Sequence, residues 1–303
     1  MALEAPRVSR LKGPFRCALT VDVEEWYHTC LVPDYVNPED RPPLAEELDW
    51  LLPELLGMLA EARCSATFFV LGEVAERLPR RIREIVAAGH EVGSHGHIHL
   101  RACERSLKAF RADVERSKEI LEDVIGAPVL GFRAPEWSLR SLASARLPIV
   151  AEAGFLYDSS LNPCPVGGRP GNPRFASHLR WDGDGPHLGL LEFPPLTFWG
   201  PLRLPAGSWT GRLVKPERLV RAVHAHSEQG GLPVAVVHPW EVSGRPTPGH
   251  LRGVARFIHE TGREGFQGRF RELLRGSRWT SLRAAAGLES VVPLRAPAVR
   301  RAV

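Results

Sequence analysis

Cysteine, methionine and lysine are scarce in this chain, and no long apolar run occurs in it. Its five cysteines, Cys17, Cys30, Cys64, Cys103 and Cys164, are scattered and never spaced as CxxC. That argues against a disulfide framework and against a cysteine zinc site, and favours free thiols in a reducing compartment. No stretch approaches the roughly 18 apolar residues of a membrane span, and Met1 to Pro14 lacks the apolar core of a secretory signal. Both absences predict a cytoplasmic protein. The formal net charge of +4 comes from arginines spread along the chain, with no dense basic run beyond Arg300-Arg301, so no nucleic-acid partner is expected. No glycine-rich nucleotide fingerprint follows the first strand.

What is present suits a soluble globular protein: 303 residues, 44% hydrophobic and 24% charged, enough for one large barrel-like domain or two ordinary ones. After a polar leader, apolar and β-branched runs predict strands over 17–24, 66–72, 90–94, 129–134, 155–158, 190–194 and 233–238. Helical spacing predicts helices over 44–62, with Pro53 kinking or delaying the start, then over 73–88, 106–125, 142–153, 216–229, 249–261 and 269–275. Residues 31–43 and 162–188, dense in Pro, Gly, Asn and Asp, read as loops, the second long enough to be a lid or substrate wall. The last fifteen or so residues read as a frayed tail. Such alternation makes a parallel sheet with helices outside, and seven units without a nucleotide fingerprint favour a closed or nearly closed barrel.

Within that frame the polar residues gather at strand ends. His95, His97 and His99 crowd into five positions beside Gly93 and Gly96. His95 and His99, four apart, can converge from one helical turn or from a strand end followed by a turn, which is half of a metal site. His97 stays outside that pair. Asp22 and Glu24 alternate across Val23 and so share a face, one free to bind an ion and the other to act as a base, with Glu25 a reserve ligand. Arg133, ending an apolar strand, needs a carboxylate partner: Asp22, or else Glu136 or Glu152. His238, before Pro239, can hand a proton to a leaving group near neutral pH. Trp137, Trp199, Trp209 and Trp240 fall in loops on the same rim, where flat faces could hold sugar rings.

In one order the chain has Thr-Val-Asp-Val-Glu-Glu-Trp-Tyr-His (20–28), Ser-His-Gly-His-Ile-His (94–99), Phe-Arg-Ala-Pro (132–135), Tyr-Asp-Ser-Ser (157–160) and Val-His-Pro-Trp-Glu (237–241). This set resembles the NodB-type polysaccharide deacetylases, carbohydrate esterase family 4, and within them the branch associated with exosortase-linked exopolysaccharide loci. The resemblance spans about residues 15–280, leaving 1–14 as leader and 281–303 as tail. It implies a distorted (β/α)7 barrel, a divalent metal ion, and hydrolysis of N-acetyl groups on amino sugars of a polysaccharide or its lipid-linked precursor. Carried over by position, the base falls on Asp22, the metal histidines on His95 and His99, the base-tuning arginine on Arg133 and the acid on His238. Because Val23 follows Asp22, the metal carboxylate shifts to Glu24. Trp137, Trp240 and Pro135 are the expected substrate contacts. Zinc leads among the ions, with cobalt, iron and nickel compatible with the same donors. Asp22 would take a proton from water, the hydroxide attack the acetamide carbonyl, and His238 protonate the departing amine. The expected partner is an N-acetylated oligo- or polysaccharide, with peripheral contact to membrane-bound biosynthesis machinery. Two rival readings keep the barrel: an amidohydrolase acting on a ureide or cyclic amide, and a non-catalytic sugar-binding protein.

Overall fold

The structure, a computed structural model, describes residues 5–28, 47–165, 167–181, 188–198, 200, 203–243 and 252–290. Cys30, the loop over 31–43, Trp199, the start of the predicted helix at 249 and the chain beyond 290 lie outside the described residues.

The fold is a mixed α/β sheet with helices packed outside it. In chain order the elements are β1 (Arg7–Arg10), β2 (Cys17–Val23), α1 (Glu47–Glu61), β3 (Thr67–Val70), α2 (Gly72–Arg77), α3 (Pro79–Ala87), β4 (Glu91–Ser94), α4 (Leu107–Ile125), β5 (Gly131–Phe132) and α5 (Leu147–Glu152). There follow β6 (Tyr157–Asp158), β7 (Ser177–Trp181), β8 (Leu188–Glu192), α6 (Ser208–Leu213), α7 (Pro216–Glu228), β9 (Val234–Val237), α8 (Pro239–Val242), α9 (Gly253–Glu260), α10 (Phe266–Arg275), β10 (Trp279–Thr280) and α11 (Leu282–Ala285). The sheet runs β1-β7-β8-β6-β5-β4-β3-β2-β10, with β9 also paired to β2. Every pairing between these named strands is parallel except β1 with β7 and β7 with β8. None of the described helices is long and apolar enough to cross a membrane.

The parallel centre is buried on both faces, which explains its near-continuous apolar runs. Leu19, Val21 and Val23 of β2, Phe68 and Val70 of β3, and Ala235 and Val237 of β9 share one cluster with Leu48, Leu52, Leu55 and Leu59 of α1 and Phe270 of α10. The first and last thirds of the chain therefore close over the same core.

Proline accounts for three departures from the sequence reading. The helix expected over 73–88 breaks at Leu78, because Pro79 lacks an N–H and starts a new helix. The helix expected from 142 begins at Leu147 with Pro148 in its first turn, where the missing donor costs nothing. Pro53, expected to kink or delay α1, lies inside a helix already running from Glu47. Two further readings need correction. The 162–188 excursion contains β7, whose Ser177, Leu179 and Trp181 point inward at period two. The polar leader supplies β1, an exposed strand paired with β7, and the supposed tail starts with α11, whose Leu282 and Ala285 are buried.

Candidate active site

Asp22, Glu24, His95, His99 and His238 converge on one cavity of about 430 Å³ at the C-terminal ends of β2, β4 and β9. Asp22 is the last residue but one of β2, and Glu24 follows one residue past its end, so the period-two expectation holds. The histidine segment turns sharply after Ser94. Gly96 adopts φ +85°, and the N–H of His97 is caught by Asp113 Oδ2 of α4 at 2.8 Å. The loop also lies against the β3–α2 junction, where the N–H groups of Gly72 and Glu73 bond to the carbonyls of Gly96 and His97. A Cβ on Gly72 would meet the His97 ring at 2.6 Å. His95 and His99 thus converge from a strand end and turn, while His97 packs on Gly72 and stays out of the cluster.

Among the described residues, Glu24, His95 and His99 form the group able to hold a metal ion, their donor atoms all within 4.8 Å of one another. His95 Nδ1 lies 2.8 Å from the carbonyl oxygen of Arg133, so it must donate, and Nε2 is left with its lone pair facing Glu24 Oε2 at 3.9 Å. His99 Nε2 is 2.6 Å from Glu24 Oε2. Burial works against charge in this group. It pulls His95 down to about 4 despite Asp22 nearby. In His99 burial is outweighed by Glu24, which raises it, and Glu24 in turn is held well below the carboxylate range by His99, His238 and His95 against its own burial. Two imidazoles and a carboxylate, one imidazole already oriented by a carbonyl, fit a zinc-type ion, and the proton on His99 stands where a cation's charge is wanted.

Arg133 directly follows β5, has no solvent exposure, and directs its guanidinium to Asp22 Oδ1 at 2.7 Å, Thr20 Oγ1 at 2.8 Å, Ser159 Oγ at 2.8 Å and the Ser159 carbonyl at 3.2 Å. Its face lies 4.3 Å from the Phe69 ring centre. The choice of partner falls to Asp22. Glu136 pairs with Arg101 at 2.7 Å, and Glu152 pairs with Arg111. Glu25, the reserve ligand, lies away from the cluster: it is fully buried, ion-paired to Arg77 at 2.7 Å and bonded by the Tyr27 hydroxyl. His28 accepts the Glu25 N–H at 2.9 Å, so its other nitrogen donates to Glu73 Oε1 at 3.1 Å.

His238 caps α8. Its Nδ1 and its backbone N–H both reach Glu241 Oε2, at 2.8 and 3.0 Å, and its Nε2 lies 3.3 Å from Glu24 Oε1. Burial disfavours the imidazolium, but Glu24 and then Glu241 outweigh it and push His238 up to about 9. Glu241 is itself held low against its burial by His238 and by Arg212, whose Nε is 3.0 Å from Glu241 Oε1. Glu241 closes the Val-His-Pro-Trp-Glu motif, which by itself gives it no task. A carboxylate three residues after a helix cap is the capping-box signature that marks it. Nothing local in the sequence marks Arg212 or His259.

Trp137, Trp209 and Trp240 line the cavity. Pro135 does not: it opens the turn 135–137 and is buried beside Gly96. Glu136 and Trp137 both take positive φ, 52° and 51°, a strained pair at the cavity rim.

Residues 46–155 match the family described as "Polysaccharide deacetylase", and residues 159–286 match one described as "Domain of unknown function (DUF3473)". Neither match reaches half of the chain; over the first of the two segments the chain is similar to polysaccharide deacetylases. It is 31% identical over 110 residues to a peptidoglycan deacetylase of Helicobacter pylori, covering 36% of each chain. It is 42% identical over 92 residues to a chitooligosaccharide deacetylase of Sinorhizobium fredii, covering 30% of this chain and 38% of that one. The chain thus spans little more than a third of the length of these curated relatives. A crystal structure of a candidate polysaccharide deacetylase from Mycobacterium smegmatis superposes with TM-score 0.59 at 24% identity, over 96% of this chain and 97% of that one. That likeness shows the fold, a mixed α/β architecture shared with that structure.

Proposed function

We propose that this chain is a metal-dependent N-deacetylase that hydrolyses N-acetyl groups on amino sugars of a polysaccharide or its lipid-linked precursor, in exopolysaccharide biosynthesis. The observation that carries the reading is the convergence of Glu24, His95 and His99 with Asp22 on one side and His238 on the other, around one cavity. Glu24, His95 and His99 would hold a divalent ion, zinc before cobalt, iron or nickel, and that ion supplies Lewis acidity toward water and carbonyl oxygen. Asp22, fixed by Arg133, takes the proton of water as its oxygen adds to the acetamide carbon. Arg133 keeps that carboxylate aimed. His238, held through Nδ1 by Glu241, presents Nε2 to the cavity and gives its proton to the amide nitrogen as the C–N bond breaks. Acetate and a free amino sugar leave. The cytoplasmic setting expected from the sequence would suit a precursor still attached to its biosynthetic machinery.

The test is acetate release from N-acetylated oligosaccharides by purified protein stripped with chelator and then reloaded with zinc or cobalt. Activity should vanish on stripping, return on reloading, and fall by about two to four orders of magnitude in Asp22→Asn. A reloaded protein releasing no acetate from any such oligosaccharide refutes the reading.

A further inference from the structure

The region matched by a domain of unknown function is not a bystander to this cavity. It contributes His238 and, facing it, a wall made by Trp209 of α6 and by Ile258 and His259 of α9. The wall is built by close packing. Gly207, at the foot of α6, lies so near β9 that a Cβ there would sit 2.5 Å from the carbonyl oxygen of Val236, two residues before His238. Ser208 then turns the chain at φ +48°, and Trp209 follows. Arg212, 2% exposed, locks the two helices together by donating to the carbonyls of His259 at 2.6 Å and Ile258 at 2.7 Å while its Nε faces Glu241. His259, 1% exposed, lies tilted against Trp240 with ring centres 4.1 Å apart and meets the edge of Trp26, and neither of its ring nitrogens has a partner among the described residues. Burial, with Arg212 and Arg263 nearby, brings His259 down to about 3, so the wall carries no charge there.

The charges around the cavity point the same way. Among the described residues lining it, both guanidiniums are engaged: Arg101 with Glu136 and Glu104, Arg212 with Glu241 and two carbonyls. Neither is positioned to receive a sugar carboxylate. Aromatic faces opposite a metal-type cluster suit a pyranose ring, whose C–H face packs on an indole while its acetamide points at the cluster.

Resting on the deacetylase reading, we propose that residues 159–286 form the substrate-selecting half of a composite active site, with Trp209, backed by the buried His259, as a stacking face that accepts uncharged N-acetylhexosamine oligosaccharides and disfavours sugars bearing a carboxylate. The test is binding, followed by calorimetry and by tryptophan fluorescence on zinc-loaded full chain. Its probes are N-acetylchitotetraose and a tetrasaccharide alternating N-acetylglucosamine with the lactyl-bearing N-acetylmuramic acid. The wild type should bind the neutral probe about ten-fold more tightly or better, and Trp209→Ala should weaken that binding about ten-fold with bound zinc per chain unchanged. His259→Ala should act in the same direction. Because His259 is buried and its variant can fail to fold, the half-buried Trp209 carries the decision. Equal binding of both probes, or unaltered affinity in Trp209→Ala, overturns the proposal. Since the readout is binding, selective binding without acetate release would remove the deacetylase reading and keep the wall, whereas acetate release with unaltered binding in Trp209→Ala would do the reverse.

Discussion

Replacing Arg133 with Met tests the centre of the site through stability rather than turnover. The substitution removes a fully buried cation and leaves the Asp22 carboxylate, itself 7% exposed, without its partner. An uncompensated buried charge costs about 3–5 kcal/mol. The Thr20 and Ser159 hydroxyls keep their bonds to the carbonyls of Ala235 and Phe193, so they add little, whereas the Ser159 carbonyl loses its donor, adding about 1 kcal/mol. A loss of about 5 kcal/mol in a chain of this size lowers Tm by about 8 °C. Asp22→Asn should cost a similar amount, because it strands the guanidinium instead. The double variant removes both charges and should cost much less than the sum, with a coupling of about 3 kcal/mol. Urea denaturation in the presence of chelator, so that no cation replaces the missing charge, measures all four corners of the cycle. If the two single losses add to within about 0.5 kcal/mol, Arg133 and Asp22 do not act as a pair and the account of the base is wrong.

Four other outcomes follow from the same geometry. Glu241→Gln should lower acetate release by about 10- to 100-fold, by loosening the ring of His238, while the bound zinc is retained. In the wild type the rate should fall on the alkaline side as His238 gives up its proton, and in Glu241→Gln that limb should move to lower pH, read from a rate profile. His99→Ala should cut zinc affinity sharply, and in the wild type zinc binding should weaken as pH falls, since the ion competes with the proton shared by His99 and Glu24; dialysis against a metal buffer reads both. The fourth concerns Asp158 and Glu192, fully buried neighbours across β6 and β8. Glu192 Oε2 finds no donor unless the pair shares a proton, and burial, followed by the Asp158 charge, raises Glu192 well above its ordinary value, as burial raises Asp158. The folded pair therefore keeps a proton that the unfolded carboxylates have released. Stability should fall with rising pH, by about 1.4 kcal/mol per unit, from the ordinary carboxylate range until the folded pair titrates. Glu192→Gln should remove that slope and melt higher than the wild type at pH 9; an unchanged slope of Tm against pH would rule out the shared proton.

Much of the site was legible because its residues lie at the ends of apolar runs, where period-two alternation fixes direction. Asp22 and His238 needed nothing more, whereas alternation left Glu24 and Glu25 both open as the ion's carboxylate. His95 and His99 were legible as a pair, although their convergence depends on Gly96 and on Asp113, which sits on another helix. What stayed hidden was set by tertiary contact. The partner of Arg133 could not be chosen among three carboxylates by residue type, and Arg212 and His259 acquire roles only because α6 and α9 meet across the cavity. Composition concealed β7: glycine, proline and asparagine upstream outweighed a five-residue alternation, and a strand that short draws its stability from β1 and β8 on either side. Pro79 and Pro148 were visible as breaks, yet whether proline ends a helix or begins one depends on where the neighbouring turn falls.

Residue 133 faces two ways, its carbonyl oxygen holding the ring of His95 while its guanidinium holds Asp22. The spacing between the Asp22 carboxylate and the His95 ring is thereby gauged by a single amino acid. Displacing the end of β5 would detune both together, so lesions nearby should rarely yield a protein that loads metal normally but merely turns over slowly. Partial loss, when it comes, should start on the His238 side, which hangs from a separate strand.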